Sequence, residues 1–148
     1  MDKKIYPFDL YERYFSAFSA HAVEYKGVVY PTVEHAYHCQ RYSDPAVIEE
    51  IKTARSARLA WNASQKYKVQ QLPDFNERRF AVMEDICRAK ALQHDDVREE
   101  LLASEDSLII KNYPDPVWGI GQDGVGSNEL GKLWMRLRQE LRQGTTSA

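Results

Sequence analysis

Four of this chain's seven glycines fall within eight residues, at Gly119, Gly121, Gly124 and Gly126. Glycine lacks a Cβ, so it reaches positive φ and lets other groups come close to its backbone, at a high entropic cost of ordering. Residues 117–128 therefore read as a loop, and one whose cost calls for a use. The most regular helix of the chain follows at once. Leu130, Leu133, Trp134, Leu137 and Leu141 recur at helical spacing and form one apolar stripe over about residues 128–142. Two uses of the loop are open: a structural cap for that helix, or a loop that closes over a ligand. In the second case the helix start would offer N–H groups to an anion. Gly119-x-Gly121-x-x-Gly124 spells a dinucleotide fingerprint. That reading is set aside, because Pro114 and Pro116 break the preceding segment and no second strand follows.

The remaining elements follow from local signals. Residues 22–25 and 28–30 read as a hairpin, with strand-forming side chains around a turn at Lys26-Gly27. Thr32 is placed to cap a helix over 33 to about 42. Asp44-Pro45 starts a second helix, to about 52, with proline in the first helical position. Further helices are expected over about 57–64, 74–94 and 95–102, the last capped by Asp95 or Asp96, and a short strand over 107–111. Helices dominate, so the expected class is α+β, mostly α, with a few short strands.

With 148 residues, 43% of them hydrophobic, the chain suffices for one domain with a real core. We expect that domain over 1–143 and a disordered tail over 144–148. A net charge of −2 argues against a strongly electrostatic nucleic-acid binder. Cys39 and Cys87 sit in no metal-ligand spacing and read as reduced core residues, and the N-terminus lacks a signal-peptide pattern. No apolar run is long enough to cross a membrane. A cytoplasmic chain with no membrane contact is expected. We also expect no metal and no cofactor. The sequence leaves the oligomeric state open.

Several residues could carry chemistry. Glu34, His38 and Arg41 share one face of the helix that follows Thr32, with Glu34 in the first turn, where the helix dipole favours a carboxylate. The face is either a solvated charged surface or the seat of a positioned carboxylate. Lys90 falls on the apolar side of its helix with Phe80, Met83, Cys87, Ala91 and His94. It is either a snorkelling side chain or an amine lining a pocket, as an amine nucleophile needs. Trp61 and Trp134 read as packing. Trp118, in a Gly/Pro loop, is suited to stacking on a base or sugar.

Two long motifs carry a resemblance. Phe15-Ser16-Ala17-Phe18 with residues 23–37 resembles the opening of the NADAR, or YbiA-like, family, and residues 118–138 resemble its closing motif. The resemblance covers about residues 14–138 and implies a single YbiA-like domain with N-glycosidase activity. It implies hydrolysis of the ribosyl C1–N bond of a phosphoribosylamino or ADP-ribosyl compound, including ADP-ribosylated guanine in nucleic acid. It places Glu34, Lys90 and Asp123 in the catalytic set. Trp118, Asn128, Gly119, Gly121, Phe18 and Tyr37 fall on substrate-binding positions. The family usually reads Ser-Asn-Phe where this chain has Ser16-Ala17-Phe18, so one polar contact is missing at Ala17. A rival reading is a non-catalytic ADP-ribose or nucleotide-binding module.

Overall fold

The computed structural model describes residues 4–144. The expected tail beyond Gly144 lies outside the described residues. Gly144 itself is a left-handed C-cap (φ 66°) whose N–H bonds to Leu141 O, a common way for a helix to end. The described residues are α+β and mostly helical. Their contacts divide into two units, one of residues 20–93 and one of the segments before and after it.

The unit of residues 20–93 opens with the expected hairpin. Strand β2 (Val23–Tyr25) pairs antiparallel with β3 (Val28–Tyr30). Lys26 (φ 52°) and Gly27 (φ 81°) form the turn. Positive φ at both central residues is the mirror-image turn whose twist suits a hairpin. Helix α1 (Val33–Cys39) starts at Thr32, whose Oγ1 accepts from His35 N–H, and it stops short of residue 42. Helix α2 (Pro45–Lys52) is capped by Asp44, and α3 (Ala57–Lys66) by Ser56. Helix α4 (Phe75–Gln93) packs on α1 and on β2. Gln93 fixes its end to the hairpin, accepting from Glu24 N–H and donating to Glu24 O. Trp61, expected in the core, is 39% exposed, with the Arg58 guanidinium 5.8 Å from its ring centroid.

In the other unit, β1 (Ile5–Phe8) pairs in parallel with β4 (Leu108–Lys111), with Pro7 opposite Ile110. Helix α5 (Asp95–Ala103) starts at His94 rather than at an Asp cap, and α6 (Glu129–Gln143) packs on β4. Trp134 is fully buried, as its place on the stripe requires. Its indole N–H donates to Phe15 O at 3.0 Å, and the two rings lie 5.1 Å apart. Gly131 lets α6 lie close to β4: a Cβ there would sit 2.2 Å from Ile109 O.

Candidate functional site

Glu34 is the second residue of α1 and only 8% exposed. An ionised carboxylate removed from water needs hydrogen-bond partners. His38, one turn on and 2% exposed, donates to it: Nε2 lies 2.6 Å from Glu34 Oε1. On the far side of the imidazole, Arg41 Nε–H donates to His38 Nδ1 at 2.9 Å. Because Nδ1 accepts, the ring proton must sit on Nε2 and point at Glu34. The guanidinium is itself held in place. Its Nη1 donates to Gln71 Oε1 at 2.7 Å, and its Cζ lies 5.1 Å from the Tyr37 ring centroid and 4.8 Å from that of Phe75. The face that reads in sequence as charged is thus a chain of hydrogen bonds leading inward to a carboxylate.

The neighbouring histidine is also fully engaged. His35 Nδ1 lies 2.8 Å from Thr32 Oγ1, and Nε2 lies 2.9 Å from Ala54 O. Thr32 Oγ1 accepts the His35 backbone N–H, so its own proton goes to Nδ1 and Nε2–H donates to Ala54 O. Burial holds the His35 pKa below its ordinary value of 6.5. The imidazole nitrogens of both histidines thus have protein partners.

Lys90 is 1% exposed on α4. The snorkelling alternative therefore fails: the amine is inside the protein. Cys87, one turn before it, is also buried, and burial pushes its thiol up to about 12, against the opposing pull of the Lys90 charge. Burial pushes the Cys39 thiol to about 12 as well. Both thiols are too weakly acidic to act as nucleophiles at neutral pH. Glu34, Tyr37 and Lys90 share one unit, on packed helices.

Phe18, Trp118, Gly119, Gly121, Asp123 and Asn128 lie in the other unit. Phe18 is half-buried, its N–H bonded to Ser16 Oγ at 3.1 Å, and Ala17 is 8% exposed. The glycine loop is folded on itself. Asp115 Oδ1 accepts from the N–H groups of Val117 and Trp118. A Cβ on Gly119 would meet the carbonyl oxygens of Tyr113, Lys111 and Asp115 at 2.8–3.0 Å, and one on Gly126 would meet loop backbone at 2.7 Å. These two glycines are required by the loop's own packing. Gly121 (φ 72°) and Gly124 (φ 79°) supply positive φ.

The start of α6 does not offer its N–H groups to an anion, as one reading of the sequence would have it. Asn128, Glu129 and Leu130 donate theirs to the carbonyls of Gly119, Val117 and Trp118. The Asn128 side chain is engaged too: Oδ1 accepts from Lys111 N–H at 2.9 Å and Nδ2 donates to Ile109 O at 3.0 Å. That carboxamide ties the helix start to β4. Trp118 is half-buried in this hydrogen-bonded loop, and Asp123 is exposed, its Oδ1 accepting from Val125 N–H.

The NADAR domain family matches residues 6–142. The chain belongs to the NADAR family. Relatives matched over most of their length are named N-glycosidases. One from Nostoc punctiforme is 33% identical over 144 residues, covering 93% of this chain and 92% of that protein. YbiA of Escherichia coli is 32% identical over 128 residues, covering 86% and 80%. A riboflavin biosynthesis protein of Vibrio vulnificus is 34% identical over 123 residues, which are 82% of this chain but 34% of that protein. The NMR structure of E. coli YbiA superposes with a TM-score of 0.84 at 27% identity, covering 97% of this chain and 89% of YbiA. This NADAR chain is therefore an enzyme of the N-glycosidase class, with a YbiA-like fold.

The spacing of Glu34, His38 and Arg41 was legible in the sequence, but it gave no reason to rank the last two as functional. The signal was the three-residue step from His38 to Arg41, which lets a guanidinium reach an imidazole on one helix face. Gln71, far along the chain, carried no signal.

Proposed function

We propose that this NADAR chain hydrolyses the ribosyl C1–N bond of a phosphoribosylamino or ADP-ribosyl compound, free or carried on nucleic acid, with Glu34 as the central carboxylate. The observation that carries the reading is the burial of Glu34 against a donated His38 N–H. Breaking an N-glycosidic bond builds positive charge at C1 and the ring oxygen. A fixed carboxylate in a site shielded from water stabilises that charge more than it stabilises the ground state. Glu34 acts either as that counter-charge or as the base for the attacking water.

Lys90 supports a second route within the same class. A neutral Lys90 amine attacks C1, the C1–N bond breaks, and the departing nitrogen takes a proton. The sugar ring opens to leave an imine, and water then cleaves the imine to free sugar and amine. The buried position of Lys90 supports this route, because it keeps the amine out of bulk water. Asp123 is assigned to the catalytic set by family resemblance, as are Trp118, Gly119, Gly121, Phe18 and Tyr37 to substrate recognition. The Asn128 amide, bonded to β4, serves by holding the loop. The domain is taken as residues 1–143. A cytoplasmic setting is supported by two buried cysteines, both free; no described helix is long and apolar enough to cross a membrane.

The test is Glu34→Gln, which keeps the shape and can still accept the His38 proton. Turnover of a phosphoribosylaminopyrimidine should fall at least about a hundredfold, as for loss of a group aimed at transition-state charge, with an unchanged melting temperature. Near-normal turnover refutes the assignment.

A further inference from the structure

The Arg41 side chain donates to His38 on the side of the imidazole away from Glu34, and so determines which way His38 can serve the carboxylate. A neutral imidazole has one ring proton and two places to put it. With the proton on Nδ1, Nε2 would face Glu34 as a second acceptor, and two lone pairs would oppose each other at 2.6 Å. Arg41 prevents this by donating Nε–H into Nδ1. Arginine keeps this donor at neutral pH, and its planar fork is fixed by the Tyr37 and Phe75 rings and by Gln71. Gln71 is fixed in turn by its donation to Asn76 Oδ1 at 3.1 Å.

We propose that Arg41 is a positioning residue that fixes the tautomer of His38, so that His38 presents Nε2–H to Glu34 and holds the carboxylate in one orientation. The role of this orientation in turnover rests on the reading of Glu34 as the reaction's carboxylate. The tautomer itself does not. A merely structural Arg41 would brace α1 against residues 71–72, to which its backbone also bonds through Leu72 N–H. That role would be shared by Gln71 and would leave the imidazole proton where it is.

The experiment combines ¹⁵N NMR of the histidine rings with kinetics on a phosphoribosylaminopyrimidine probe. In the unaltered protein, His38 shows a protonated Nε2 and an unprotonated Nδ1. Arg41→Met keeps the stem and removes the donor. It should mix the two tautomers and lower kcat about tenfold, with KM within twofold. Arg41→Lys, whose amine can donate to Nδ1, should recover part of both signals together. Gln71→Ala, which spares the Nε contact, should leave the tautomer unchanged. An unaltered His38 tautomer in folded Arg41→Met overturns the proposal. A mixed tautomer with unchanged kcat upholds the tautomer assignment and overturns its role in turnover. Should Arg41→Met not fold, Arg41→Lys decides alone: its tautomer and kcat must shift together. Glu34→Gln run in parallel separates the two claims. Full turnover there removes the Glu34 reading and leaves the tautomer result standing on its own.

Discussion

Replacing Gly131 with alanine tests the account of how the glycine-loop motif is built. The added Cβ would sit 2.2 Å from Ile109 O, 2.5 Å from Asn128 Oδ1 and 2.6 Å from Asn128 Nδ2. Ile109 O is backbone within β4, and the Asn128 amide is held by two hydrogen bonds to that strand. Nothing near is the loose end of a flexible side chain, so α6 must back away from β4 or the amide must be expelled. Overpacking in a close-packed interior costs about 1–3 kcal/mol, and each lost buried hydrogen bond adds about 0.5–1.5 kcal/mol. Alanine's better helix propensity returns about 1 kcal/mol. The net loss is about 2–4 kcal/mol, or roughly 5–15 °C in melting temperature for a chain of this size. Thermal unfolding followed by circular dichroism, with urea melts as a second measure, reads it directly. A shift under about 2 °C would refute the claim that Gly131 is required by the contact of α6 with β4.

Acid should weaken the fold through His35. Its folded pKa lies below the unfolded 6.5, so the unfolded chain binds the extra proton first. The stability His35 contributes is complete above 6.5 and is lost as pH falls through its folded value. Urea midpoints between pH 7.5 and 5 should fall toward acid, and less steeply in His35→Gln. Equal slopes in the two proteins would clear His35 of this role. For the Lys90 route, borohydride added during turnover should trap a sugar–protein adduct, and Lys90→Met should abolish it. Full activity in Lys90→Met, with no adduct in the parent protein, would leave direct hydrolysis as the mechanism.

Local chemistry made much of the fold legible. The apolar stripe of α6, the Lys26-Gly27 turn and the caps at Thr32 and Asp44 are all written within a few neighbouring residues. Strand β1 was not, because Pro7 argues against a strand and its partner β4 lies about a hundred residues away in sequence. An edge strand tolerates proline on its unpaired side, and only the fold tells which side that is. Spacing put Glu34, His38 and Arg41 on one face but could not show that the face is buried, since burial depends on what packs against it. The same holds for Lys90, whose stripe fits a snorkelling side chain as well as an enclosed one. The glycines were legible as a loop. Their packing against the loop's own carbonyls was not, because those contacts exist only once the loop is closed.

The central claim is that a ribosyl C1–N bond is hydrolysed. Its most direct test is mass spectrometry after incubation with a phosphoribosylaminopyrimidine, an ADP-ribosyl-guanine nucleotide and an NAD-type compound in ¹⁸O-water. The account predicts that at least one yields its free nitrogenous group and a ribosyl product carrying one solvent oxygen. Intact compounds throughout, with one of them raising the melting temperature, would contradict it and identify a binding module.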